Sequence, residues 1–323
     1  MVEDTIHSSM TANPSANILR LLSLIHICVF ARVNPERFAA CFAEWTQSLA
    51  EALAGRVVAI DGKTLRRSHG PDEKPLHVVS AFATENRLVL GQRAVEEKSN
   101  EITAIPELLK TLHLKGALVT IDAAGTQVEI AQQIKAQGGD YLLPVKGNQP
   151  TLLAACEANF ARAQATDFVD ADVTTHPSVE TAHGRTDERY TLALAHPQGL
   201  PAEWAAVKTV VQVNRLRTVK GKTTATTLYY VCSKRLAAKT LAKPIRRHWA
   251  IENELHWSLD VTFGEDANRT ADKNAAANLG TLRHTAVTLL KQNPAKGSNK
   301  LKAFKASIKP TYLLELIQGI TGI

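Results

Sequence analysis

The chain has 323 residues, of which 45% are hydrophobic, and its formal net charge is +7. This is enough apolar material for a substantial core in one large domain or two ordinary ones. The positive charge favours a polyanionic partner such as nucleic acid. The four cysteines (28, 41, 156 and 232) form no Cys-x-x-Cys pair. This spacing excludes a zinc finger or a disulfide framework and indicates reduced cysteines in a cytoplasmic protein.

The first 27 residues show no clear hydrophobic period and give the chain an atypical or truncated start. The apolar patch within residues 18–30 is too short to span a membrane and lacks the layout of a signal peptide. Asn34 is a plausible helix cap and Pro35 fits the first helical position. We therefore predict an N-terminal helical segment over residues 1–55.

Two apolar runs each end in an aspartate. Residues 57–60 precede Asp61 and residues 118–121 precede Asp122. Short unbroken apolar runs are typical of strands buried on both faces, and open sheets place their ligands at strand ends. Either aspartate alone could equally be a turn-forming residue.

A third carboxylate lies on a predicted amphipathic helix. His248, Glu252 and His256 are spaced i, i+4, i+8 and are expected to share one face. Another face, expected to pack on the sheet, contains Ile251, Leu255 and Leu259. The alternative is a salt-bridged surface helix anchored by Trp249 and Trp257. Asp260, Glu265 and Asp266 are rival acids nearby.

The order of elements predicts an α/β fold. Residues 76–83 and 88–95 are expected to form an antiparallel hairpin, followed by helix, strand, helix and strand up to residue 145. This order is the RNase H-like arrangement, a mixed sheet flanked by helices. The predicted parts are the first part of the core (56–150), an antiparallel β-rich insertion (151–240), C-terminal core helices that include the glutamate helix (241–292), and a lysine-rich, flexible and solvated tail (293–323).

Three carboxylates delivered in this way are suited to holding two Mg²⁺ ions against a phosphodiester. Asp61 is the expected bridge between the ions, with Asp122 and Glu252 completing one shell each. Several polar residues are candidate DNA contacts, although each could be a solvated loop or surface residue. They are Lys63, Arg66, Lys146, Asn148, Gln149, His183 and Arg185.

Five motifs resemble those of the ISAs-type bacterial insertion-sequence transposases, also known as the H-repeat-associated group. They are Ala59-Ile60-Asp61-Gly62-Lys63-Thr64-Leu65-Arg66, Thr120-Ile121-Asp122-Ala123, Lys146-Gly147-Asn148-Gln149, His183-Gly184-Arg185 and the stretch from His248-Trp249 through Glu252-Asn253 and His256-Trp257 to Asp260-Val261. The similarity covers roughly residues 29 to 291.

This resemblance implies a DDE transposase with an RNase H-like core and a β-strand insertion. It implies Mg²⁺-dependent cleavage of element ends and strand transfer, with Asp61, Asp122 and Glu252 as the catalytic triad and metal ligands. Mn²⁺ is the expected substitute ion. The expected partners are double-stranded DNA, both element ends and target, and further copies of the chain in a homodimer or higher multimer. No membrane is involved, and the place of action is the bacterial cytoplasm.

The motif around Glu252 departs from the pattern of related transposases, which often carry a Tyr, an Arg and a Lys there. Ile245, His248 and Leu259 stand at those positions. Arg246, Arg247 or His248 is the expected substitute in phosphate binding. Two other functions remain open on sequence alone: a catalytically defective DNA-binding remnant, and a Mg²⁺-dependent nuclease without transfer activity.

Overall fold

One mixed β-sheet of nine strands organises the structure. The computed structural model describes residues 27–49, 55–69, 74–95, 100–182 and 184–321. The strands are β1 (Val57–Thr64), β2 (His77–Ala83), β3 (Leu88–Val95), β4 (Leu118–Thr120), β5 (Asp140–Val145), β6 (Val173–Ala182), β7 (Arg185–Ala195), β8 (Thr209–Val219) and β9 (Lys222–Cys232). Their order across the sheet is β3-β2-β1-β4-β5-β9-β8-β7-β6.

The first half of the sheet is centred on β1. β1, β2 and β3 are antiparallel neighbours, which confirms the predicted hairpin, and β4 and β5 continue the sheet parallel to β1. The first four residues of β1, Val57–Ile60, are at most 3% exposed. The unbroken apolar run is therefore a strand with both faces covered, as its sequence indicates.

The second half of the sheet is fully antiparallel. β9 pairs with β5, and β8, β7 and β6 follow outward. The β-type segments predicted after residue 151 thus extend the main sheet. The edge strand β6 was not predicted, because it contains Pro177 and mostly polar residues. An edge strand tolerates both, since one side of it has no pairing partner.

Helices cover both faces of the sheet. They are α1 (Pro35–Leu49), α2 (Glu101–Lys110), α3 (Val128–Ala136), α4 (Pro150–Ala165), α5 (Ala238–Arg247), α6 (Trp257–Phe263), α7 (Lys273–Gln292), α8 (Asn299–Ile308) and α9 (Pro310–Thr321). Side-chain alternation along β1 separates the two cores. Ile60 packs in a cluster with Ile105 of α2, whereas Ala59 packs in another with Ile251 and Leu255. The mixed α/β sheet flanked by helices is thus confirmed.

The C-terminal segment is helical, although most of its residues are exposed, as its lysines suggest. It contains the helices α8 and α9. Lys302 is only 7% exposed, and its Nζ donates to the carbonyl oxygens of Leu290 (3.1 Å) and Asn293 (2.7 Å). A lysine in this position satisfies carbonyls at the C-terminal end of α7, which have no partner within the helix.

The predicted atypical start lies outside the described residues, apart from residue 27, which opens a helical stretch over residues 27–32. The predicted helix from Asn34 is present as α1, with the Asn34 side chain accepting from the backbone N–H of Arg37. Across the described ranges, no helix has the length and apolarity needed to cross a membrane.

Candidate active site

Asp61 and Asp122 stand in matching positions of two neighbouring parallel strands. Asp61 lies within β1, which continues to Thr64, and not at a strand end as predicted, whereas Asp122 does follow β4. β1 and β4 pair up to Ala59 and Thr120, and each aspartate stands two residues beyond this last β1–β4 pair. Because side chains alternate along a strand, Asp61 points to the same face as Ala59. That face packs against the segment from residue 250 to residue 259. The two carboxylates therefore emerge where the glutamate segment crosses the sheet.

The glutamate segment is not one regular α-helix. α5 ends at Arg247, Ile251–His256 forms a π-helical turn, and α6 continues from Trp257. A π turn inserts one extra residue into a helix and occurs frequently at functional sites. Ile251, Leu255 and Leu259 are fully buried against the sheet, as predicted. Glu252 lies in the π turn, and its carboxylate has no hydrogen bond or ion pair to any part of the chain that the structure describes.

Asp61 has the most strongly perturbed carboxylate of the predicted triad. Its pKa is raised from 3.8 to about 7, first by burial and then by the negative charges of Glu252, Asp122 and Glu101, although a hydrogen bond from the backbone of Gly62 opposes the rise. Burial also raises the pKa of Glu252. The structure thus brings Glu252 and Asp122 within electrostatic reach of Asp61. A partly buried carboxylate that is repelled by its acidic neighbours gains from a bound cation.

Two histidines attach the glutamate segment to β1 and β4. Nδ1 of His256 lies 3.7 Å from Oδ2 of Asp61, and Nδ1 of His248 lies 3.1 Å from the hydroxyl oxygen of Thr120. Burial lowers the pKa of both, to about 4 for His256, so both are neutral near pH 7. Sequence spacing placed these histidines beside Glu252, but it did not identify their partners on the sheet.

A fourth acid next to the triad was missed from sequence. Glu101 opens α2, where the Asn100 side chain caps the helix, and its Oε1 lies 2.6 Å from Nε2 of His77. The pair packs against Gly62, where a Cβ atom would collide with both side chains. A cap before a helix is a structural signal, and nothing in it indicates that the next residue faces Asp61.

The rival acids near Glu252 are bound to cations of the chain. Nζ of Lys63 lies 2.9 Å from Asp260 and 3.2 Å from Asp266, and Glu265 is 3.7 Å from Arg283. Glu252 is therefore the acid of this region that faces the aspartates without a cationic partner among the described residues. The same contacts hold Lys63, a predicted DNA contact, in an internal ion-pair network with its side chain 12% exposed.

The other predicted DNA contacts divide into exposed and bonded residues. Arg66 is 78% exposed with Nε 3.3 Å from Asp266, and Lys146 is exposed. Asn148 donates to the carbonyl of Ala123 (2.7 Å) and Gln149 to that of Thr126 (2.9 Å). These two amides therefore brace the loop after Asp122, whose Oδ1 accepts from the N–H of Gly125.

The remaining predicted contacts lie further along the chain. Arg247 bonds Glu254 at 3.2 Å, and Arg185 is 45% exposed at the start of β7. His183 lies outside the described residues. The sequence assignment of these residues to DNA stays a prediction.

The carboxylates of Asp61, Asp122 and Glu252 have the chemistry of ligands for a hard divalent cation. Carboxylate oxygens are the ligands that Mg²⁺ prefers, and a bound cation would relieve the repulsion that raises the pKa of Asp61. Over the described ranges, no group of three or more His, Cys, Asp or Glu side chains is close enough to form a closed cage. Mg²⁺ commonly keeps several of its waters and takes only one or two protein carboxylates directly.

Sequence comparison places this site in a family. The family described as "Transposase DDE domain" matches residues 53–289, a range that contains Asp61, Asp122 and Glu252. The chain belongs to the DDE transposase domain family. The predicted relation to the H-repeat-associated group is confirmed by its relatives.

Three relatives come from Escherichia coli. "Putative protein YbfL" and "H repeat-associated putative transposase YhhI", both of strain K12, are each 37% identical over 301 residues, covering 90% of this chain and 79% of the relative. "Putative transposase YncI" of strain O157:H7 is 39% identical over 304 residues, covering 91% and 77%. A cryo-EM structure of a piggyBac transposase synaptic complex with hairpin DNA covers 83% of this chain and 52% of its own, at 10% identity and a TM-score of 0.44. That score is too low to support a conclusion.

Proposed function

We propose that the chain is an active DDE transposase that cleaves DNA at the ends of its insertion sequence and joins them to target DNA in a Mg²⁺-dependent reaction. The observation that carries the proposal is the convergence of charge on Asp61, whose pKa is raised by burial and by Glu252 and Asp122 together. Perturbed carboxylates in this arrangement are typical of catalytic rather than structural sites.

We propose that residues 56–150 and the helices from residue 241 form an RNase H-like core. The strand order β3-β2-β1-β4-β5, with three antiparallel strands followed by two parallel ones, supports this assignment. In such an open sheet, parallel strands bring their carboxyl ends to one edge, and Asp61 and Asp122 lie where the pairing of β1 with β4 ends.

In the proposed mechanism, Asp61, Asp122 and Glu252 would hold the Mg²⁺ ions, which Mn²⁺ could replace. When bound, the ions would activate the attacking hydroxyl and neutralise charge on the phosphorus and the leaving oxygen. Neutral His256 lies beside Asp61 and leaves its negative charge available to a cation. His248 fixes the segment before Glu252 against Thr120.

The proposed partner is double-stranded DNA, first the element ends and then the target. The net charge of +7 favours a polyanion. Since two ends must be cut and joined together, we propose that a homodimer or higher multimer of the chain acts on DNA.

The proposal is tested by incubating the protein with duplexes that carry the ends of its own element, a target plasmid and Mg²⁺. Joined products are the expected result. Cut but unjoined products would indicate a nuclease, and a shifted but intact duplex would indicate a DNA-binding remnant. Either result contradicts the proposed transfer activity.

A further inference from the structure

The outer half of the sheet has two chemically different regions on the face that α5 covers. Near α5, that face is apolar, with Ala193, Val211 and Val213 packed against Leu241. Further along the same strands, the register of β7, β8 and β9 puts basic residues on this face in successive rows. We call this region the distal basic face, and it consists of Arg185, Arg189, Arg215, Arg217 and Lys222.

The opposite face of the same strand segments carries no basic residue over the described positions. Its rows are Thr181, Thr186, Thr218 and Thr223, then Val179, Glu188, Leu216 and Ala225, then Pro177, Tyr190, Asn214 and Thr227. A hairpin that is basic only for solubility has no reason to place every cation on one face. The segregation indicates that this one face meets a negatively charged surface.

A buried carboxylate organises the distal basic face. Asp187 is 2% exposed, and its Oδ1 accepts from Nε (2.8 Å) and Nη2 (2.6 Å) of Arg215. Arg185 and Arg189 approach its Oδ2 at 3.5 and 3.6 Å. Burial raises the pKa of Asp187, but the bonds from Arg215 and the charges of Arg189 and Arg217 outweigh it and hold the pKa below its usual value. The arginines are thus held in place on a rigid strand.

Hydrogen-bonding capacity remains in this cluster. Nη1 of Arg189 is buried without a hydrogen-bond partner, and its closest acid is Glu180, at 3.7 Å. Glu180 also binds Arg246, at the end of α5. Together with Arg246, the cluster has five arginines but only two carboxylates, Asp187 and Glu180, and Lys222 adds a further positive charge. Guanidinium groups held in this way match phosphate oxygens.

The distal basic face continues toward the candidate active site through α5. Arg246 stands in the last turn of α5, six residues before Glu252, and its side chain binds Glu180, which also lies 3.7 Å from Arg189 of the distal basic face. The chain segment that carries Glu252 is therefore joined directly to the distal basic face.

We propose that the distal basic face binds the backbone phosphates of the DNA strand that enters the candidate active site, on the side of that site from which α5 leads to Glu252. This inference rests on the proposed function for its ligand, and it adds the binding site. The contact is to phosphate and not to base edges, so it orients the DNA without reading its sequence.

The test measures duplex affinity of the full chain against salt concentration, with Ca²⁺ in place of Mg²⁺ to prevent cleavage. Arg217→Gln and Lys222→Gln each remove one charge from the face, and Lys222 is exposed at the strand tip, where substitution does not disturb folding. Arg162→Gln is the matched control, because Arg162 is exposed on α4, which packs on the opposite face of the sheet.

Each face variant is expected to reduce the slope of log affinity against log salt by about 1 and to weaken binding about tenfold at about 0.1 M salt, equally on two unrelated duplexes. The control keeps the wild-type slope. Wild-type slopes in both face variants would overturn the inference while leaving the proposed function standing. Absence of DNA binding by the wild-type protein would overturn both. A reduced slope in a protein that does not cleave would support the inference and contradict the proposed function.

Discussion

Asp61 shows most clearly that the acids needed for the proposed chemistry lower the stability of the fold. Its side chain is 16% exposed near three further acids, and its pKa is raised to about 7. Because the folded-state pKa lies above the ordinary value, the folded chain holds this proton more tightly than the unfolded chain. Rising pH between about 4 and 7 therefore destabilises the fold through this group, and the loss is complete above pH 7.

This loss of stability with rising pH gives a prediction for Asp61→Asn, a substitution that removes the charge of the side chain and keeps its shape. Without divalent cations, the variant should be more stable than the wild type at pH 8, by on the order of 3 kcal/mol, and the gain should shrink at pH 5. Denaturant unfolding at both pH values in EDTA measures it. Asp170→Asn, at an exposed position, is the control. A variant less stable than the wild type at pH 8 would contradict the electrostatic account of the site.

Gly62 gives a second prediction at this scale. A Cβ there would collide with the ends of the Glu101 and His77 side chains, whose Oε1 and Nε2 atoms lie 2.6 Å apart. Gly62→Ala should therefore push this pair apart, and because both side-chain ends can move, it should lower the free energy of unfolding by only about 1 kcal/mol. Gly147→Ala, where a Cβ meets open space, should have little effect. Thermal unfolding compares the two, and equal stabilities would argue against the close packing at Gly62.

At the scale of elements, the π turn sets the direction of Glu252, the proposed catalytic glutamate. Sequence periodicity predicted one α-helical face for His248, Glu252 and His256 on the assumption of a regular helix. The structure has the π turn Ile251–His256 there, while the apolar residues of this segment still pack on the sheet. An added residue in a helix leaves no mark in composition or spacing, so the predicted regular helix was wrong, while the roles of these residues stay a prediction.

Deleting Asn253 should convert the π turn into a regular helix and rotate Glu252 relative to His256 by about 100°, one residue's turn. The expected result is a folded protein with unchanged helix content by circular dichroism and no DNA cleavage. Asn253→Ala, which keeps the chain length, should retain cleavage because Asn253 is exposed. Cleavage by the deletion variant would show that the turn does not position Glu252.

At the scale of the molecule, one continuous sheet connects the strands around Asp61 with the outer antiparallel strands. The largest apolar cluster includes Val58 and Ile60 of β1 together with Val210 of β8 and Val231 of β9. Strand types and the hairpin were predictable because apolar runs and turns are local. The pairing of β9 with β5 was not, since it joins residues about 90 positions apart, and no local pattern specifies it.

Val231→Ala tests this continuity. Val231 is fully buried in β9, and its truncation should cost about 2 kcal/mol. If the sheet unfolds as one unit, a single transition should shift for the whole molecule, as followed by far-ultraviolet circular dichroism and by tryptophan fluorescence. Two transitions, of which only one moves, would mean that the outer strands fold separately.

The candidate site itself was predictable as residue types at the ends of apolar runs and on a helix, and its supporting contacts were not. Asp61, Asp122 and Glu252 each follow or interrupt a recognisable pattern. Glu101, Thr120 and the Lys63 ion pairs depend on which strands become neighbours. Contacts of this kind require the tertiary structure.

The most direct test of the central claim is the rate of Mg²⁺-dependent cleavage of end-bearing DNA by Asp61→Asn, Asp122→Asn and Glu252→Gln, each compared with the exposed control Glu129→Gln. Each of the three should bind DNA like the wild type and lose at least about a thousandfold in cleavage rate, a size usual for removal of a key electrostatic group, while the control cleaves normally. Full cleavage by any one of the three would contradict the claim that these acids form a single catalytic site.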